Sequence, residues 1–200
     1  MSNDDAAFSN DPWVWFRDSF ARALQSEAFD ASRAALATVT AEGQPCVRFV
    51  LVKHVDPRGF VFFTNTASAK ARQLAAQPRA ALAFHWSSTG EQVRVEGSVS
   101  MIDAAESDAY FATRPRGSQL SAWASEQSAP IADRAALVER YREIERRFAD
   151  MATVPRPAFW GGYRVHPQRI EFWRDRADRL HDRWSFTRAE HGWSLSRLQP

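Results

Sequence analysis

Two apolar runs, residues 47–52 and 60–63, stand on either side of Asp56-Pro57-Arg58-Gly59, and no other feature constrains the fold as tightly. A Pro-x-Gly tetrapeptide reads as a tight turn, so the two runs are predicted to pair as antiparallel strands. The first, Val47-Arg-Phe-Val-Leu-Val-Lys53, is apolar almost throughout, which predicts a strand buried on both faces. Further strands are predicted over residues 34–40, 80–86, 92–101, 170–173, 180–187 and 193–198, the last two joined through His191-Gly192. In the stretch 92–101, Val93, Val95 and Gly97 face one way and Arg94 and Glu96 the other.

Helical signals lie between the strands. Asp11 as N-cap with Pro12 in the first turn opens a helix to about residue 26. A short helix over 68–76 stops before Pro78, and Asp103 with Glu106 forms a capping-box-like start for a helix through 111, broken at 113–117. Over 133–151, Leu137, Tyr141, Ile144, Phe148 and Met151 step by four and three as one apolar stripe. Six to eight short strands with about four helices favour a mainly-β, α+β chain built on an antiparallel barrel or sandwich over a doubly wound sheet. No linker divides residues 1–200, so one domain is expected, with 1–10 as a flexible N-terminus.

Composition narrows the function. A hydrophobic share of 44% suffices for a core, and 26 Lys+Arg against 24 Asp+Glu leave +2, too little for a chain that coats nucleic acid. The basic residues are nearly all arginine; Lys53 and Lys70 are the two lysines. Cys46 stands alone, which excludes an internal disulfide and a cysteine metal cluster. Residues 1–10 hold no apolar signal region and no run is long enough to span a bilayer, so a cytoplasmic protein without a membrane partner is expected. G-x-G-x-x-G, P-loop, H-E-x-x-H and G-x-S-x-G motifs are missing, which leaves phosphate recognition, if any, to side chains.

Four groups of side chains can carry chemistry. Arg48 and Lys53 bracket the apolar strand; five positions apart, they fall on opposite faces, so one ligand reaches both only if a bulge or a second ligand intervenes. Ser68-Ala69-Lys70 offers a hydroxyl, free N–H groups and an ammonium to an anion, or else is a plain cap beside a solvated lysine. Tyr110, Arg114 and Ser118 bring a phenol, a guanidinium and a hydroxyl around a helix end, which suits a phosphate monoester; the alternative is an arginine that only neutralises the helix C-terminus. Arg179-Leu180-His181-Asp182-Arg183, read as a strand, places Arg179, His181 and Arg183 on one face, where a histidine between arginines can orient or deprotonate a substrate hydroxyl or amine. The alternative there is a solvated edge strand with Asp182 as counter-ion. Trp173 can wall a flat ring.

Taken in order, Arg48-Phe-Val-Leu-Val-Lys53, Phe63-Thr-Asn65, Gln92-Val-Arg-Val-Glu-Gly97, Arg114-Pro-Arg-Gly-Ser-Gln119, Gln127-Ser128, Phe159-Trp-Gly-Gly162, Ile170-Glu-Phe-Trp173 and Arg179-Leu-His-Asp-Arg183 resemble the pyridoxine/pyridoxamine 5'-phosphate oxidase family. The match runs from about residue 11 to 200. It implies an FMN-binding antiparallel split β-barrel and a homodimer with FMN at the subunit interface. It also implies oxidation of pyridoxine 5'-phosphate and pyridoxamine 5'-phosphate to pyridoxal 5'-phosphate, by hydride transfer from the 4'-carbon to the flavin, with O2 reduced to H2O2. By motif, Arg48, Phe49, Val50, Leu51, Val52, Lys53, Phe63, Thr64, Ala69, Lys70, Gln92, Gln127, Ser128, Trp173 and Arg183 would hold FMN. Lys53, Tyr110, Arg114 and Ser118 would hold the substrate phosphate, with Arg179, Leu180 and His181 at the substrate ring and Arg179 and His181 as catalytic residues. Ala69 and Glu91 stand where members commonly carry arginine, which implies a lost phosphate contact at Ala69 and a reversed charge near the flavin at Glu91. Two other readings stay open: a related flavin oxidase of another ring substrate, as in phenazine biosynthesis, and a non-catalytic carrier of flavin or pyridoxal phosphate. Arg114, Arg116 and Ser118 speak against the first, Arg179 and His181 against the second.

Overall fold

The computed structural model describes residues 9–200, so most of the expected flexible N-terminus lies outside the described residues. Helix α1 (Pro12–Ser26) starts as its sequence signals require: the Asp11 carboxylate accepts the Trp13 N–H at 2.9 Å and Pro12 occupies the first turn. Its buried face, Phe16 and Ala23, packs on the sheet.

Strands β1 (Arg33–Val39), β2 (Pro45–Asp56), β3 (Gly59–Asn65), β4 (Arg79–Trp86), β5 (Glu91–Met101) and β6 (Trp160–Arg174) run antiparallel in the order β3-β2-β1-β4-β5-β6. Pairing of β3 with β6 closes them into a six-stranded barrel, and β7 (Asp182–Arg188) and β8 (Trp193–Leu198) extend the sheet outward from β6. Strand β6 therefore has two successive neighbours on one edge: β3 up to Val165, then β7 from Arg169. Alternation sends Trp86, Phe84, Phe60, Phe62, Leu36 and Ile170 into the barrel, each with under 2% exposure, where each is worth about 1.5–3 kcal/mol of transfer free energy. Two glycines are steric necessities of closure. A Cβ on Gly97 would lie 1.9 Å from the His166 carbonyl oxygen, and one on Gly59 (φ +141°) 2.1 Å from that of Val165.

Helix α2 (Ala69–Ala76) follows β3, and α3 (Ala104–Thr113), α4 (Arg116–Ala124) and α5 (Arg134–Arg147) lie between β5 and β6. These last three cover a second apolar cluster of Phe111, Leu120, Phe148, Val154 and Trp160, against which Tyr141 and Ile144 of the predicted stripe pack. The Arg164 guanidinium, 3% exposed, ties β6 to the β2–β3 turn and to α3 through Asp56 (2.9 Å) and Glu106 (2.8 Å).

Several expectations need correction. Strand β2 is not buried on both faces: Val47, Phe49 and Leu51 are 70%, 71% and 39% exposed, because no element among the described residues covers that face. Strand β6 begins ten residues before the expected strand over 170–173, since Gly161-Gly162 lies within it and not at a break; Gly162 stands where a Cβ would meet Ile102 at 2.5 Å. Helix α4 was not expected. The Asp103 side chain makes no capping bond, and Glu106 is drawn to Arg164 instead. Helix α5 stops at Arg147, leaving Met151 beyond it. The stretch 179–183 is not one strand: Ala177–Arg179 is a single 3-10 turn with Asp178 and Arg179 at φ +56° and +59°, and β7 begins only at Asp182. The shared face of Arg179, His181 and Arg183 disappears with it.

Candidate active site

The end of β3 and the first turn of α2 build a cationic cradle. Ser68 is the fully buried N-cap residue of α2, and Lys70, two residues on, is folded back over it. The Lys70 Nζ donates to Thr64 Oγ1 at 3.0 Å, Ser68 Oγ at 3.2 Å and Gln127 Oε1 at 2.9 Å, all neutral acceptors. Burial first, and the nearby Arg48 charge second, pull its pKa from 10.5 down to about 8. Arg48 is likewise held by neutral groups, Thr38 Oγ1 and Gln73 Oε1, the latter at 3.0 Å. Ser128, in a left-handed conformation at φ +76°, accepts the Ala69 N–H at 3.2 Å, which ties its hydroxyl to the first turn of α2. Two cations and a helix N-terminus with no carboxylate among these contacts form a donor set suited to a phosphate monoester.

A cavity of about 680 Å³ opens beside this cradle. Phe49, Val50, Leu51 and Lys53 of β2, Phe63 and Thr64 of β3, Lys70, Tyr110, Arg114, Ser118 and Gln127 all line it. Arg114 caps α3 and Ser118 sits in the first turn of α4, so the Pro115 break between the helices aims both at one space. One Arg114 nitrogen, Nη1, is buried without a hydrogen-bond partner, and burial lowers the Arg114 pKa. Lys53 differs: it sits at a β-bulge of β2 and its Nζ is 3.1 Å from the Asp30 carboxylate, so a ligand phosphate would compete with Asp30 for it. Val52 turns into the core at 5% exposure, and Arg48 shares its face of β2, opposite to Lys53, as the five-residue spacing between Arg48 and Lys53 requires.

The remaining expected residues gather elsewhere. Gln92, Trp173 and Arg183 stand abreast on β5, β6 and β7. The His181 ring packs on Trp173 at 4.5 Å, and the turn beside it carries Arg179 and the exposed Leu180. His181 Nδ1 faces both the Arg176 N–H at 3.2 Å and the Asp175 carboxylate at 3.1 Å. Arg183 spends its Nε and Nη2 on the buried Glu171 at 2.9 and 2.7 Å, so its counter-ion is not Asp182, which pairs with Arg176 and Arg197. Trp173 is thirteen positions beyond Trp160 of the cavity wall, on the order of 40 Å along β6 at strand rise, too far for one small ligand within one chain.

Two further expectations fail on geometry. Glu91 adds no uncompensated negative charge on the Gln92 side of β5: it points opposite to Gln92, is 4% exposed, and pairs with Arg22 (2.7 Å) and Arg174 (2.6 Å). Arg116 does not join Arg114, because its Nη2 donates to the Phe148 carbonyl at 2.6 Å. Reasoning on the sequence missed Gln73, which orients Arg48; its place three residues after Lys70 on one helix face was the available signal. Two further cavity residues, Arg33 and Trp160, carry no local signal of that place in the sequence.

A family model described as pyridoxamine 5'-phosphate oxidase matches residues 21–148, and one for the pyridoxine 5'-phosphate oxidase C-terminal dimerisation region matches 160–200. A pyridoxine/pyridoxamine 5'-phosphate oxidase of Anaeromyxobacter dehalogenans is 57% identical, covering 95% of this chain and 96% of its own length. One from Ralstonia pickettii is 50% identical over 100% of this chain and 93% of its own. Among solved structures, PhzG from Burkholderia lata 383, in complex with tetrahydrophenazine-1-carboxylic acid, superposes with a TM-score of 0.89 at 29% identity, each chain covered fully. A pyridoxamine 5'-phosphate oxidase-related, FMN-binding protein of Nostoc punctiforme shares the fold at TM-score 0.75 and 21% identity, over 96% of this chain and 100% of its own. With more than half of its length inside one family model and half of its residues shared with relatives along nearly the whole chain, this protein belongs to the pyridoxamine 5'-phosphate oxidase family.

Proposed function

We propose that this chain oxidises pyridoxine 5'-phosphate and pyridoxamine 5'-phosphate to pyridoxal 5'-phosphate in the cytoplasm, as a homodimer with FMN bound between subunits and O2 as oxidant. The observation that carries the reading is the pair of cationic positions, Lys70 with Arg48 and Arg114, flanking one cavity with only neutral partners or none. Two phosphate esters, one on the cofactor and one on the substrate, match two such positions. The exposed strip Val47-Phe49-Leu51 and the C-terminal match to a dimerisation region support a second copy as its cover. Among the described residues no helix is long and apolar enough to cross a membrane.

In this reading Lys70, Thr64, Gln127 and the Ser128 hydroxyl hold the cofactor phosphate, while Arg114, Tyr110, Ser118 and Lys53 hold that of the substrate. Fixing the phosphate places the 4'-carbon and lowers the entropic part of the barrier. Gln92, Trp173, Arg183, Arg179 and His181 act from the partner subunit, with His181 Nε2 and Arg179 at the 4' hydroxyl or amine, where a proton is held or moved. When bound, FMN supplies the hydride acceptor and its reoxidation by O2.

The test is a visible absorption spectrum of the purified protein before and after anaerobic addition of pyridoxine 5'-phosphate. Expected is a flavin spectrum that bleaches and returns with air. A flavin that resists bleaching moves the reading to another ring substrate or a carrier, and no flavin after adding FMN overturns it.

A further inference from the structure

We propose that Trp160 is a positioning residue for phosphate recognition: its indole face holds the Arg114 guanidinium, so that Arg114 needs no carboxylate and keeps its charge for the ligand. The proposal rests on the reading of Arg114 as a substrate-phosphate group. Arg114 Cζ lies 4.9 Å from the Trp160 ring centroid and 5.4 Å from that of Phe111. It makes no ion pair among the described residues, and Nη1 is buried with no hydrogen-bond partner. A guanidinium in such a place ordinarily recruits an aspartate or glutamate. A carboxylate there would repel the anion that the site is built to take. An aromatic face attracts the cation through its quadrupole, adds no net charge and leaves the N–H edge free.

Trp160 is itself held still. It opens β6 opposite Asn65 of β3, its N–H donates to the Pro157 carbonyl at 3.0 Å, and its carbonyl accepts from Arg156, which is pinned to Asp108 at 2.6 Å. Phe63 stacks on the ring at 5.2 Å and 8°, leaving the indole 6% exposed. Closure of the barrel thus sets the height of the shelf on which Arg114 rests.

The readout is the affinity ratio of pyridoxal 5'-phosphate over pyridoxal, measured by equilibrium dialysis on the FMN-loaded protein with FMN content recorded alongside. Trp160→Leu is expected to lower the ratio about tenfold, the worth of a desolvated cation–π contact. Trp160→Phe should recover most of it, and pentafluorophenylalanine at position 160, nearly equal in shape but reversed in face potential, should lose it again. FMN content stays level across the set. Where the leucine variant fails to fold, the two phenylalanine forms decide. Equal ratios for those two overturn the proposal. Arg114→Ala separates the layers: if it lowers the ratio while the Trp160 variants do not, only the proposal falls, and if it leaves the ratio unchanged, the assignment of Arg114 falls with it.

Discussion

Lys70 stands on the first turn of α2 with its proton held below the ordinary lysine range, at about 8, by burial and by Arg48. Between that value and 10.5 the unfolded chain keeps a proton that the folded chain has lost, so the ligand-free protein gains stability as pH rises through this window and bears the whole cost below it. Phosphate needs the charged form, so FMN affinity is expected to fall as pH rises through about 8. Lys70→Met should raise the ligand-free Tm by about 3 °C, the response of a chain this size to ~1 kcal/mol, and cut FMN affinity at least about tenfold. Calorimetry and a flavin fluorescence titration check both arms, and a variant that loses stability while keeping FMN contradicts the cradle. At the other cluster, His181→Ala or Arg179→Ala should lower kcat by about 10²-fold with bound FMN retained, as for loss of a proton-handling group; unchanged turnover in both removes that role. The gathering of Tyr110, Arg114 and Ser118 at one cavity was legible, because the Pro115 break between two helices is a local signal. Orientation was not: Arg116 and Glu91 carry the right charge to matter, yet one binds a helix carbonyl and the other a pair of arginines.

Strands with a period of two and tight turns, such as the β2–β3 and β7–β8 hairpins, were readable because their pattern is local. What local pattern could not reveal was β6, whose Gly161-Gly162 looks like a break until β3 and Ile102 crowd it from outside. The 3-10 turn at 177–179 was hidden for a related reason, since nothing in Asp178-Arg179 announces two consecutive left-handed residues. Close approach at the β5–β6 register shift gives an element-scale prediction. Gly97→Ala forces a Cβ against the His166 carbonyl and should cost about 3 kcal/mol, read as a lower urea midpoint; a midpoint equal to the parent would mean that β6 yields there without strain.

At the scale of the whole molecule, the cavity group and the Trp173–His181 group lie far apart along β6, so each proposed site takes one half from each chain. Mixing Arg114→Ala subunits with His181→Ala subunits after reversible dissociation should therefore restore about a quarter of parental activity: half the dimers are mixed, and each of those regains one of its two sites. No recovery on mixing would place both halves in one chain. Phe49→Glu, in the middle of the exposed β2 strip, should yield monomers in sedimentation and lose FMN with them. Barrel closure has a consequence for synthesis. The β3 edge, residues 60–65, waits for residues 160–165, so a ribosome must add roughly a hundred residues, for about 5–20 s, before the sheet can close. Over that interval β3 and β5 are open edges rich in Phe and Val, templates for pairing with other chains. A nascent chain halted before residue 160 is expected to aggregate or to be retained by chaperones, whereas one released beyond 174 closes its own seam.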